Sequence, residues 1–140
     1  MGAYSRSQCR EWALQFLYQA EFVGSRNRED LDRFWGHFHP DGPGAPAYLR
    51  ELAAGVDSHR EELDALIARY SEHWRLERMT VVDRNLLRLA AFELIFKKGR
   101  VPPKVVINEA LELAKRYGSE DSGAFVNGIL DQIRAAHEKQ

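Results

Sequence analysis

Arg6 and Arg10, one helical turn apart, with Tyr18 two turns further along, form the group in this chain best suited to holding an anion. Guanidinium groups bind phosphate oxygens bidentately and stack on flat rings, and unpaired bases are read by such stacking together with edge contacts. Two arginines alone are ordinary on a surface helix, so by residue type a solvated face is the better reading of the pair than an RNA contact. Other groupings carry less. His37 and His39 with Asp41 invite a metal reading, but they flank a Pro/Gly loop and two histidines without a third defined ligand make a weak site. Pairs such as Glu61-Glu62 and Glu120-Asp121 are common on helical surfaces, and there is no glycine-rich phosphate loop, no HExxH and no spaced Cys/His cluster. The sequence therefore points away from catalysis, a bound metal or a cofactor.

The elements that must position these residues follow from periodicity. Ser5 and Gln8 form a capping box that starts a helix, and Cys9, Trp12, Ala13, Phe16, Leu17 and Ala20 then make an apolar stripe that leaves Arg6, Arg10 and Tyr18 outside it, with the arginines wet. After Gly24-Ser25, the residues Leu31, Phe34, Trp35 and Phe38 give a short second helix ended by Pro40, and PDGPGAP at 40–46 is a loop. From Ala47 one long helix is expected to bury Leu49, Leu52, Ala53, Val56, Leu63, Leu66, Ile67 and Tyr70, with Gly55 a weak point and His59 and Glu62 outside. Residues 74–79 fit a short helix or a turn. Thr80 to Asp83 resembles a capping box, and the helix beyond is apolar nearly all round from Leu86 to Phe96, which predicts a central position.

The last third begins with Pro102-Pro103, which suit the first turn of a helix. Val106, Ala110, Leu113, Ala114 and Tyr117 form its stripe, with Lys104, Glu112, Lys115 and Arg116 on the outer face. Gly118 is expected in the left-handed conformation, Ser119 is expected to cap the next helix, and that helix should bury Val126, Ile129, Leu130 and Ile133. Asn108, Asn127 and Gly128 are poor helix formers in mid-helix. Their presence suggests a close helix approach at Gly128 and buried hydrogen bonds at the two asparagines.

Composition sets outer bounds. The 140 residues carry a net charge of −1 and fit one domain over 1–140, so any nucleic-acid site must be a local patch. Cys9, the only cysteine, excludes an internal disulfide and fits a reducing compartment. With no apolar run near membrane length and no secretory pattern at the start, the expected location is the cytoplasm, away from any membrane. No period-2 alternation survives, and the fold class is all-α.

Three blocks now stand in order: CREWALQFLYQ from Cys9, LLRLAAFEL from Leu86, and VINEALELAKRYG-SEDS-AFVNGILD from Val106. Together they resemble the NusB family of bacterial transcription antitermination factors, collinearly over nearly the whole chain apart from 24–47. The resemblance implies two three-helix bundles packed across each other around a central apolar helix. It also implies binding of boxA-type leader RNA of ribosomal RNA operons together with the small-subunit ribosomal protein NusE, with other Nus factors and RNA polymerase engaged indirectly.

The resemblance places RNA contacts at Arg6 and Arg10 and maps Asp83, Asp121 and Phe125 onto its motif; Tyr18, Lys104 and Phe125 are the further candidate RNA contacts, and Glu77, Asp83 and Asp121 the acidic residues expected to attract the basic ribosomal partner. Phe125 adjoins Val126 of the buried stripe and so should be partly exposed. The chain departs from the family where several arginines usually precede Arg10-Glu11, since it reads Arg6-Ser7-Gln8-Cys9, and Ala124 replaces a basic residue ahead of FVNG. Each missing cation weakens phosphate binding, which Lys104, Arg26, Arg28 or a partner protein could offset. The rival reading is a protein-interaction module, or a homodimer, that kept the fold and lost the RNA site.

Overall fold

The computed structural model describes residues 4–24, 26–72 and 75–138, and it is helical throughout, with no strand among them. Its residues group into two compact units, the first running to Ser58 and the second starting at His59.

The first unit contains α1 (Arg6–Val23), α2 (Arg28–Phe38) and α3 (Ala47–Ser58). The expected capping box starts α1: Ser5 Oγ accepts from the Gln8 N–H at 3.1 Å, and the Ser5 N–H donates to Gln8 Oε1 at 2.9 Å. Gly24, at φ 85°, ends the helix in the left-handed region that glycine adopts without steric cost. A second capping box, Asn27 with Asp30, starts α2. Helix α3 packs on both α1 and α2, over a ring cluster in which Trp12 meets Trp35 at 4.8 Å and Phe16 meets Phe34 at 5.6 Å. The 40–46 loop is tied down by hydrogen bonds to its carbonyls, with Trp35 Nε1 donating to Pro43 and Arg50 Nε to Ala45. Phe38, expected in the α2 stripe, is instead 60% exposed at the last position of that helix.

The single long helix expected from Ala47 does not form. Helix α3 ends at Ser58 and α4 (Arg60–Tyr70) begins after His59, whose ψ of 18° lies outside the helical range. Gly55 does not make the break. His59 is fixed there by stacking on Phe96, with centroids 4.0 Å apart, and by a 2.9 Å contact from Nδ1 to Glu62 Oε1, so it is half-buried rather than outside.

The second unit holds α4, a 3₁₀ turn (Leu76–Arg78), α5 (Val81–Phe96), α6 (Pro103–Tyr117) and α7 (Ser122–Glu138). As the apolar run predicts, α5 is central: it packs on α4, α6 and α7 and is buried without interruption from Asn85 to Leu94. That span includes Asn85, Arg88 and Glu93, which burial requires to be paired. Arg88 donates from Nε and Nη2 to the two carboxylate oxygens of Asp64 at 2.7 and 3.0 Å and from Nη1 to Asn85 Oδ1 at 3.1 Å, while Asn85 donates to the Val81 carbonyl. Val106, Ala110, Leu113 and Ala114 of α6 and Val126, Ile129, Leu130 and Ile133 of α7 are buried as their spacing predicts. Tyr117, by contrast, is 36% exposed at the end of its helix.

The glycines correct two expectations. Gly118 is extended, at φ −93° and ψ −171°, not left-handed; it is required by space, because a Cβ would come within 2.5 Å of Ser122 Oγ and 2.7 Å of the Ala114 carbonyl. Ser119 does not cap α7 either: its N–H donates to Ser122 Oγ at 2.9 Å, and the Asp121 carbonyl receives the first helical bond, from Phe125. Gly128 makes no close approach, since a Cβ there would meet nothing within 4 Å, and Asn108 and Asn127 are exposed.

Candidate nucleic-acid interface

Helix α1 carries the first part of the candidate surface. Arg6 is exposed at its first position, and Arg10, one turn on, is only 5% exposed, which corrects the expectation that both arginines are wet. The reason is Tyr48 of α3. The Arg6 guanidinium carbon lies 5.0 Å from the centre of the Tyr48 ring and that of Arg10 5.9 Å, both within the range in which the ring quadrupole attracts a cation. Arg10 therefore belongs to the packing between α1 and α3. Tyr48 was not singled out by sequence, because it falls beside Leu49 of the buried stripe and no periodicity marks it.

Burial also governs Cys9, which directly precedes Arg10 in the same turn. Removal from water raises its thiol above the ordinary value of 9.0, an effect partly opposed by the Leu49 backbone and by the Arg10 charge. Such a thiol is a poor nucleophile at neutral pH.

Tyr18 is 45% exposed, outside the stripe as expected, and its ring tilts against Phe22 at 5.2 Å. Phe22 and Val23, 69% and 65% exposed, extend this apolar end of α1. Among the cations proposed as substitutes, Arg28 is exposed but Arg26 is held by Asp57 at 3.2 Å. The structure thus gathers Arg6, Arg10 and Tyr48 at one point of the first unit, with Tyr18 two turns along the same helix.

The remaining candidates belong to the second unit. Lys104 is exposed in the first turn of α6, and Phe125, in the first turn of α7, is half-buried as expected. Glu77 is exposed in the 3₁₀ turn, which Arg84 fastens to α5 by donating to the Leu76 and Met79 carbonyls at 3.0 and 3.2 Å. Asp121 is exposed just before α7. Asp83 differs from both: it is buried in the first turn of α5, where its backbone N–H donates to Thr80 Oγ1, and its Oδ1 has no hydrogen-bond partner. It is not a surface charge. His37, His39 and Asp41 form no metal site; His39 stacks on Trp35 at 3.8 Å, and no group of three His, Cys, Asp or Glu among the described residues is placed to hold an ion. No helix among them is long and apolar enough to cross a membrane.

Among the described residues the fold is all-helical, with Arg6 and Arg10 at the start of α1. The NusB family model matches residues 7–135, and the chain belongs to that family. It is 48% identical over 142 residues to the transcription antitermination protein NusB of Myxococcus xanthus, covering 99% of both chains, and 50% identical over 128 residues to that of Anaeromyxobacter dehalogenans, covering 91% and 89%. Among solved structures it is similar to T. maritima NusB, with a TM-score of 0.84 and 39% identity over 96% of this chain and 93% of that one. It is also similar to the NusB of a crystal structure of antitermination factors NusB and NusE in complex with dsRNA, with a TM-score of 0.81 and 32% identity over 94% and 97%.

Proposed function

We propose that this chain is a cytoplasmic transcription antitermination factor: a non-catalytic adaptor, acting as one domain over residues 1–140, that binds boxA-type leader RNA together with NusE and promotes processive transcription of ribosomal RNA operons. The observation that carries the reading is the near-complete match to a NusB crystallised with NusE and RNA. Arg6 and Tyr18 are exposed on α1 to meet RNA, with Arg10 acting from beneath, and Lys104 and Phe125 of the second unit are further proposed RNA contacts. Glu77 and Asp121 offer negative charge to a basic ribosomal protein, which steers association. Two weak surfaces on one adaptor bind jointly because each partner raises the effective concentration of the other, and other Nus factors and RNA polymerase join through the assembly.

Anisotropy titrations of labelled boxA-type single strands, and of a duplex of equal length, with and without NusE at two salt concentrations, test this. Tighter binding with NusE and weakening by salt are expected; no salt-dependent RNA binding in either condition would refute it. One observation favours a second reading, a protein-interaction module or homodimer. With Arg10 buried, the start of α1 displays one cation, whereas Phe22, Val23 and Phe38 stand exposed in the same unit. Sedimentation showing a stable dimer that ignores RNA would favour it.

A further inference from the structure

We infer that Tyr48 is a positioning residue of the RNA surface: its ring holds Arg6 so that the outward side of the guanidinium is a ready-made subsite for one unpaired nucleobase and its phosphate. The inference deepens the RNA-binding reading and rests on it. An arginine in the first turn of a helix normally samples many rotamers, and ordering it on binding costs affinity. Here the side chain already lies over an aromatic face, 5.0 Å from the ring centre, and the capping box at Ser5 fixes the backbone from which it springs.

Tyr48 is itself well fixed. It occupies the second position of α3, half-buried, next to the fully buried Leu49, and Arg10 lies against the same ring from the following turn of α1. Arg6 gains nothing as a helix stabiliser, because a cation at a helix N-terminus opposes the macrodipole and the first turn of α1 contains no acid. Its place over Tyr48 has a use in recognition instead. A guanidinium lying over a ring at this distance keeps exposed surface for a base and N–H donors for phosphate oxygens, a combination that a lysine cannot supply.

The test is anisotropy with labelled boxA-type single-stranded RNA at one low salt concentration, alongside thermal melting, on the wild type and on Tyr48→Leu, Tyr48→Phe, Arg6→Lys, Arg6→Ala and the Arg6→Ala/Tyr48→Leu double variant. Tyr48→Leu and Arg6→Lys should each weaken binding about five- to tenfold, and Tyr48→Phe, which keeps the ring, should stay within about twofold of the wild type. The double variant should be no weaker than Arg6→Ala, because Tyr48 acts through Arg6. Additive losses in the double variant, or wild-type binding by Tyr48→Leu, would overturn the inference while leaving the RNA reading standing. Should Tyr48→Leu fail to fold, Arg6→Lys decides, and wild-type affinity there would show that charge alone matters. A wild type that binds no RNA would remove both readings.

Discussion

In the first unit the Arg6 guanidinium lies over the Tyr48 ring and faces water, whereas in the second the Arg88 guanidinium is buried and forked onto Asp64. The same side chain is positioned in both places, by partners of opposite kind. A carboxylate neutralises its arginine and satisfies its donors, so Arg88 is committed to the core. An aromatic face leaves the charge intact and the N–H edge unused, so Arg6 is ordered and still able to bind. The contrast extends to two glycines of the second unit: Gly118 is forced by crowding, while Gly128 sits in open space where the fold does not ask for it.

The largest effect that would sharpen this contrast is on stability. Arg88→Ala removes the bidentate partner of Asp64 and the donor to Asn85 and should cost about 3 kcal/mol, the lower end for a buried pair because Asp64 keeps Arg60 at 3.9 Å and some contact with water, read as a lower urea midpoint. Arg6→Ala should leave that midpoint in place; equal losses at the two arginines would break the comparison. Gly118→Ala should destabilise by about 1 to 3 kcal/mol, since the Ala114 carbonyl cannot step aside. Gly128→Ala should do the reverse, stabilising by up to about 1 kcal/mol through helix propensity alone, read as a higher midpoint.

Cys9 gives the smallest effect. Its raised thiol favours the protonated form in the folded state, so the associated stability is present below the ordinary value of 9.0 and is lost as pH rises through the higher folded value. Urea midpoints of the wild type should therefore fall more steeply above pH 9.0 than those of Cys9→Ala. Parallel curves would contradict the burial argument.

Where the chain's own local chemistry decides structure, reading it forward succeeded. The Ser5 capping box, the Pro102-Pro103 entry, the buried faces of α6 and α7 and the central place of α5 all follow from spacing and backbone preference. What escaped depends on partners distant in sequence. Nothing near Arg10 announces that Tyr48, on another helix, will cover it; nothing near Arg88 announces Asp64; and the break at His59 is fixed by Phe96, 37 positions away. Gly128, Asn127 and Asn108 suggest structural duties by residue type, which their exposure removes. The candidate site divided in the same manner: Tyr18 and Phe125 could be placed from their position relative to a stripe, whereas the ring that orders Arg6 could not.

The salt dependence of single-stranded RNA binding for the wild type and Arg6→Ala tests the central claim most directly. Removal of one phosphate-contacting cation should make the slope of log K against log salt shallower by about 0.7, with thermal melting unchanged. An unchanged slope, with RNA bound equally well by both proteins, would show that the ordered arginine at the start of α1 is not where RNA is held.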